Sequence, residues 1–294
     1  MIYDIKQTTH YAYGESVPVS RHMIRMQPPH DDGQSVIAAS LNVQPAPHER
    51  NDTRDFFGNH LTQIAIDAPH ETLTVTLHAR VRVEQTAFIP ADDTLALEEV
   101  VRLARESSDI GPHAPVHRLF PSRMVPLDPA LTAYAALSFP VGRPVLAGAT
   151  ELAERIQADF VYDPTATAVD TDPVHAFALR RGVCQDFAHI MIAGLRGLGL
   201  PAGYVSGFLR TVPPPGQQRL EGADATHAWV SVWCGPKGWI GLDPTNGMRA
   251  DLDHVRIAEG RDYADVAPLD GIIWSAAGHS LSVAVDVVPV SGSA

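Results

Sequence analysis

Of the two cysteines in this 294-residue chain, Cys184 stands where a thiol could become a nucleophile. Downstream of it, Phe187, Ile190, Met191, Ile192, Leu195 and Leu198 leave almost no polar helical face, which predicts a buried helix. Gly197, Gly199 and Pro201 end that helix, and a start just after Gly182 puts Cys184 in its first turn. There the unpaired backbone N–H groups and the positive end of the macrodipole favour thiolate over thiol. A lone cysteine is more commonly a small apolar core residue, so Cys184 acquires a chemical meaning only through partners.

A thiolate nucleophile needs an imidazole within hydrogen-bond reach and a third group to orient the ring. Both occur together in Thr226-His227-Ala228-Trp229-Val230-Ser231-Val232-Trp233, Cys234-Gly235-Pro236-Lys237-Gly238 and Trp239-Ile240-Gly241-Leu242-Asp243. The Val, Trp and Ile arms around Gly-Pro-Lys-Gly read as a β-hairpin. Strand alternation gives His227, Trp229, Ser231 and Trp233 one face, and Trp239, Gly241 and Asp243 one face of the other arm. With Trp233 opposite Trp239, Trp229 falls opposite Asp243, and His227 is the diagonal neighbour of that carboxylate.

Gly182-Val183-Cys184-Gln185-Asp186-Phe187-Ala188, Pro201-Ala202-Gly203-Tyr204-Val205-Ser206-Gly207, Thr226-His227-Ala228-Trp229 and Asp243-Pro244-Thr245-Asn246 resemble the transglutaminase-like superfamily, specifically its bacterial branch. The likeness continues through Gly260-Arg261-Asp262-Tyr263-Ala264-Asp265-Val266-Ala267-Pro268 and covers about half of the chain well. The resemblance implies a papain-like core whose Cys-His-Asp triad falls on Cys184, His227 and Asp243. Thr226 stands where the family more often has Ser, a change between small hydroxyl residues. Calcium, used by some animal relatives, has no recognisable carboxylate loop in this chain.

Such a triad carries out acyl transfer through a thioester. The Cys184 N–H is one oxyanion donor, and Gln185 and Tyr162 are candidates for the second. Trp229 and Trp239 are candidate walls of the cleft. His189 and Asp186, on or beside the buried helix, read as hydrogen-bonded structural residues. Water as the acceptor makes the protein an amide hydrolase or peptidase, the favoured reading; an amine makes it a protein-glutamine γ-glutamyltransferase. A binding or scaffold module with a vestigial site is a third reading, which retention of all three triad residues disfavours. No His-Glu-x-x-His or paired Cys-x-x-Cys is present, and His30-Asp31-Asp32 reads as a solvated loop, so neither metal nor cofactor is expected.

The elements that must position this chemistry divide the chain in two. Residues 1–90 read as an antiparallel β-sandwich, with Leu73, Val75, Leu77, Ala79, Val81 and Val83 inward on one strand and Ile37, Ala39, Leu41 and Val43 on another. Residues 91–145 read as a helical connector with N-caps at Asp92, Asp93 or Thr94, and residues 146–294 as the transglutaminase-like core with a C-terminal strand, an α+β architecture overall. Helices are expected at 129–137 and 145–158, and a third, capped by Thr171 or Asp172, runs to Arg181. The Pro213–Gln218 loop borders the site or is a plain surface connection, and Ser291–Ala294 is expected to fray. The formal charge of −12 without a basic cluster disfavours nucleic acid, and no apolar run is long enough for a membrane span. Met1–Lys6 has no signal-peptide h-region, so a cytoplasmic location, two free thiols and a peptide or amide substrate are expected.

Overall fold

The computed structural model describes residues 1–31, 33–210, 226–275 and 278–290. In chain order the strands and helices are β1 (Ile2–Val17), β2 (Ser20–Ile24), β3 (Gln34–Gln44), β4 (Glu49–Arg54), β5 (His60–Ile66), β6 (His70–Val83), α1 (Leu97–Glu106), α2 (Pro129–Ala136) and α3 (Val145–Asp159). They continue as β7 (Val161–Tyr162), α4 (Pro173–Leu179), β8 (Arg181–Gly182), α5 (Cys184–Gly197), β9 (Ala202–Leu209), β10 (Thr226–Trp233), β11 (Trp239–Asp243) and β12 (Met248–Arg249). The chain ends through β13 (His254–Gly260), α6 (Tyr263–Val266), β14 (Leu269–Ile273) and β15 (His279–Pro289). None of the helices among the described residues is long and apolar enough to cross a membrane.

Two four-stranded antiparallel sheets, ordered β15-β1-β6-β3 and β14-β2-β5-β4, form the N-terminal layers. Strict alternation in β6 buries all six of its expected inward residues. On β3 the pattern fails halfway. Leu41 and Val43 are buried, but Ile37 is half exposed because a register shift between Val36 and Ala38 bulges it out of the ladder, and Ala39 lies on an edge strand without cover. Both C-terminal strands return to these layers: β15 pairs with β1 and β14 with β2. The sequence leaves open which domain the C-terminal strand joins, and this pairing sets β14 and β15 against the N-terminal layers. Alternation shows that a strand has a buried face without showing which sheet supplies its neighbour.

The second sheet system is five-stranded, ordered β12-β11-β10-β9-β13, with α5 lying across β9 and β10. Its apolar residues explain the position: Phe187, Ile190, Met191, Ile192 and Leu195 are each almost wholly buried. Trp233 pairs with Trp239 as the hairpin pattern requires. Helices α2 and α3 begin and end within a residue of expectation. Helix α4 is capped by the Asp172 carboxylate, which accepts the Val174 N–H, but it stops at Arg180 (φ +54°), and Arg181 enters β8. Thr94 does not cap α1. It lies ahead of N-cap Ala96, where its hydroxyl donates to Ala91 O and accepts from Leu146 N. The Pro213–Gln218 loop, Asp32 and Ser291–Ala294 lie outside the described residues.

Candidate active site

Cys184 is the first residue of α5, and Val183 is the N-cap. Valine has no acceptor, so the helix start is fastened from the following turn: Asp186 Oδ2 accepts the Val183 N–H at 2.8 Å and the Thr167 hydroxyl at 2.7 Å. Burial raises the Asp186 pKa, and these two hydrogen bonds oppose the rise. Gly182 leaves room for the arrangement, since a Cβ there would lie 2.5 Å from Asp186 Oδ2. The same helix buries His189, whose Nε2 accepts the Tyr263 N–H at 3.2 Å; burial lowers its pKa to about 4 and keeps it neutral.

Parallel pairing of β7 with β8 sets Tyr162 opposite Gly182, beside the nucleophile. Tyr162 is half exposed, its ring edge-on to Phe187 at 6.4 Å, and burial followed by the charge of Cys184 raises its hydroxyl pKa. Gln185 is committed elsewhere, because its Nε2 donates to Val169 O at 2.7 Å.

His227 enters on β10, with Nε2 2.7 Å from Asp243 Oδ2 at the end of β11. Nδ1 is thereby left for the thiol. Burial disfavours the charged ring, but hydrogen bonds to Asp243 and Cys184, and the negative charge of both, outweigh it and push the pKa of His227 up to about 9. Asp243 is fully buried, yet its carboxyl is held far below the usual range. Desolvation, which raises it, is overcome by hydrogen bonds from His227, His254 and Asn246. Its other oxygen accepts the backbone N–H groups of Thr245 (2.9 Å) and Asn246 (3.2 Å).

Trp229 is buried against His227, its ring 6.1 Å away and nearly parallel. It supports the imidazole from behind. Gly207 makes space for the indole, as a Cβ there would approach Trp229 Cη2 to 2.6 Å and Val255 O to 2.1 Å. Trp239 has a different duty from the cleft wall expected of it. Its Nε1 donates to His113 O, and the buried Arg118 guanidinium lies 4.7 Å above its ring. Both thiols are free, and burial pushes that of Cys234 up to about 12, far from reactivity at neutral pH.

Residues 3–82 match the model of the bacterial transglutaminase-like N-terminal region, and residues 137–244 match that of the transglutaminase-like superfamily. An uncharacterized protein of Mycobacterium tuberculosis is 38% identical over 299 residues, covering 99% of this chain and 94% of that protein. The chain belongs to the transglutaminase-like superfamily. A protein-glutamine γ-glutamyltransferase of Pseudomonas aeruginosa is 32% identical over 106 residues, which are 36% of this transglutaminase-like chain and 15% of that protein. In fold, it is similar to the solved structure of a candidate cysteine protease from Cytophaga hutchinsonii, with a TM-score of 0.75, 22% identity, and coverage of 100% of this chain and 92% of that one.

The transglutaminase-like core holds one group the sequence reading missed. His254, at the start of β13, is buried with Nε2 3.2 Å from Asp243 Oδ2. Its sequence signal is slight, a histidine opening a short apolar strand eleven residues after Asp243. His227, Asp243 and His254 offer ligand atoms within 4.8 Å of one another, a spacing that could hold a metal ion. Here both Nε2 atoms and Asn246 Nδ2 are directed at the same carboxylate oxygen, so the cluster is organised as a hydrogen-bond network around that oxygen.

Proposed function

We propose that this protein is a cysteine-dependent amide hydrolase acting on peptides or related amides. The observation that carries this reading is Cys184 at the N-terminus of α5, hydrogen-bonded to an imidazole whose far nitrogen is 2.7 Å from a buried carboxylate. The Cys184 thiolate forms a bond to the amide carbonyl carbon, and the C=O electron pair moves onto oxygen. The Cys184 N–H, a first-turn donor with no intrahelical acceptor, stabilises that oxyanion, with the Tyr162 hydroxyl as the second donor. Collapse breaks the C–N bond as protonated His227 gives its proton to the departing amine, leaving a thioester and neutral imidazole. His227 then takes a proton from water as it attacks, and the thiol leaves with release of the acid. Asp243 holds the ring tautomer throughout and stays ionised.

The stretch matched by the glutamyltransferase supports a second reading, in which an amine replaces water at the same thioester. Incubation of wild type and Cys184→Ala with casein and a glutamine peptide, with and without monodansylcadaverine, tests both. Cysteine-dependent peptide cleavage or glutamine deamidation without dansyl incorporation supports hydrolysis, and incorporation supports the second reading. Loss of neither activity in Cys184→Ala sinks both.

A further inference from the structure

The triad carboxylate has more donors than a two-residue relay needs. Besides His227, Asp243 Oδ2 faces His254 Nε2 at 3.2 Å and Asn246 Nδ2 at 2.7 Å. The other nitrogen of His254 decides its protonation. Nδ1 accepts the Asp251 backbone N–H at 3.3 Å, and an accepting nitrogen carries no proton, so the neutral ring has its hydrogen on Nε2. That hydrogen points at the carboxylate. The ring packs edge-on against Trp229 at 5.1 Å, and the backbone beneath it is held by the His254 N–H donating to Asp251 O at 2.8 Å. The ring meets Asp243 on β11, His227 on β10 with centroids 6.0 Å apart, and Asp251 through its backbone N–H; Cys184 bears on it through His227.

We propose that His254 is a positioning residue of this active site, a neutral imidazole that donates to Asp243 Oδ2 and fixes the plane in which that carboxylate meets His227. The assignment rests on the cysteine-hydrolase reading and adds to it a fourth side chain, contributed by β13. Without the His254 donor the carboxylate is held by His227, Asn246 and the backbone N–H groups of residues 245 and 246, and its plane is no longer fixed from the β13 side. His227 then loses part of the field that keeps it protonated beside the thiolate. The consequence reaches Cys184 without any contact between His254 and sulfur.

Two substitutions separate the donor from the fold. In His254→Asn, Oδ1 keeps an acceptor near the former Nδ1 for the Asp251 N–H but leaves nothing at the position of Nε2. In His254→Gln, the Nε2–H reaches toward Asp243. Both are made in a Cys234→Ala background, so that Cys184 is the only thiol, and alkylated with iodoacetamide across about pH 4–10, with circular dichroism to verify folding. The expected result is an acid limb about one pH unit higher in His254→Asn, about tenfold slower alkylation at a fixed pH below it, and recovery of most of that loss in His254→Gln. An Asn profile that overlays or lies below the wild-type profile, or a Gln variant no better than Asn, overturns the assignment and leaves the cysteine-hydrolase reading standing. Wild-type alkylation that simply follows an ordinary thiol near ~8.5 overturns that parent reading instead. Nitrogen-15 NMR of histidine-labelled wild type tests the tautomer without any variant: a proton on Nε2 alone is expected for His254, and a proton on Nδ1 overturns the assignment.

Discussion

At the scale of single residues, the site is governed by how much charge a buried network can hold. His227 keeps its proton to about pH 9 because Asp243 and Cys184 together outweigh the cost of burying the charged ring. An unfolded histidine titrates near ~6.5, so folding raises this pKa. The resulting stability is complete below about pH 6.5 and is lost as pH rises through about 9. Asp243 has the opposite sign. Its pKa is depressed by folding, so its contribution is present above the ordinary aspartate value and declines as pH falls through the acid range. Urea midpoints of wild type should therefore drop between about pH 7 and 10 more than those of His227→Gln, and an equal drop would contradict the pairing. The same protonated imidazole supplies the leaving-group proton, so kcat on an amide substrate should fall on the alkaline side with a midpoint near 9.

At the scale of elements, β13 matters beyond its share of the sheet, because it carries His254 on an edge strand. An edge leaves backbone groups unpaired. Here two side chains of the N-terminal layers complete the ladder. Gln34 exchanges hydrogen bonds with the N–H and C=O of Arg256, both at 2.9 Å, and Asn59 does the same for Glu259, both at 2.8 Å. Tyr3 adds a hydroxyl bond to Asp253 Oδ1 at 2.8 Å, next to His254. The β-sandwich thus grips the strand from which the triad carboxylate is supported. Gln34→Ala and Asn59→Ala should each cost about 1–3 kcal/mol in urea unfolding, the penalty for leaving backbone groups unpaired at a buried edge. Each should also slow Cys184 alkylation below neutral pH in the direction of His254→Asn. Unchanged stability in both would show that the edge does not depend on these amides.

At the scale of the whole molecule, the chain is closed on itself. It leaves the β-sandwich after β6, builds the core, and returns through β14 and β15 to flank β2 and β1. Segment 111–129, within the expected 91–145 connector, is stitched to the core. Arg118 is fully buried between Phe57 and Trp239, Met124 N donates to Asp262 Oδ2, and Arg196 on α5 donates to Phe120 O. Without the C-terminal end of the chain the two N-terminal sheets lack their edge strands β15 and β14. A fragment of residues 1–90 is expected to show no cooperative thermal transition by far-UV circular dichroism, and the full chain is expected to unfold in one. Removal of residues 279–290 takes away buried Val285 and Val287, about 1.5–3 kcal/mol each, and uncovers the β1 ladder. Against a usual total of about 5–15 kcal/mol, a clear fall in the unfolding midpoint should follow. An unaltered midpoint would mean that the sandwich stands without its returning strand.

Local chemistry was legible in the sequence wherever cause and effect lie close along the chain. The apolar run after Cys184 determined a buried helix with the thiol at its start, and alternation in the hairpin determined that His227 and Asp243 share a face. Alternation likewise determined β6, but a bulge defeated it on β3, since period-two patterns are blind to one inserted residue. Tertiary structure alone decided where β14 and β15 pair, that Trp229 backs the imidazole while Trp239 receives Arg118, and that Gln185 serves a loop carbonyl. It alone brought His254 to the carboxylate. The physical reason is common to all of these: residue periodicity specifies which way a side chain faces, whereas the identity of what it meets depends on packing between elements far apart in the chain.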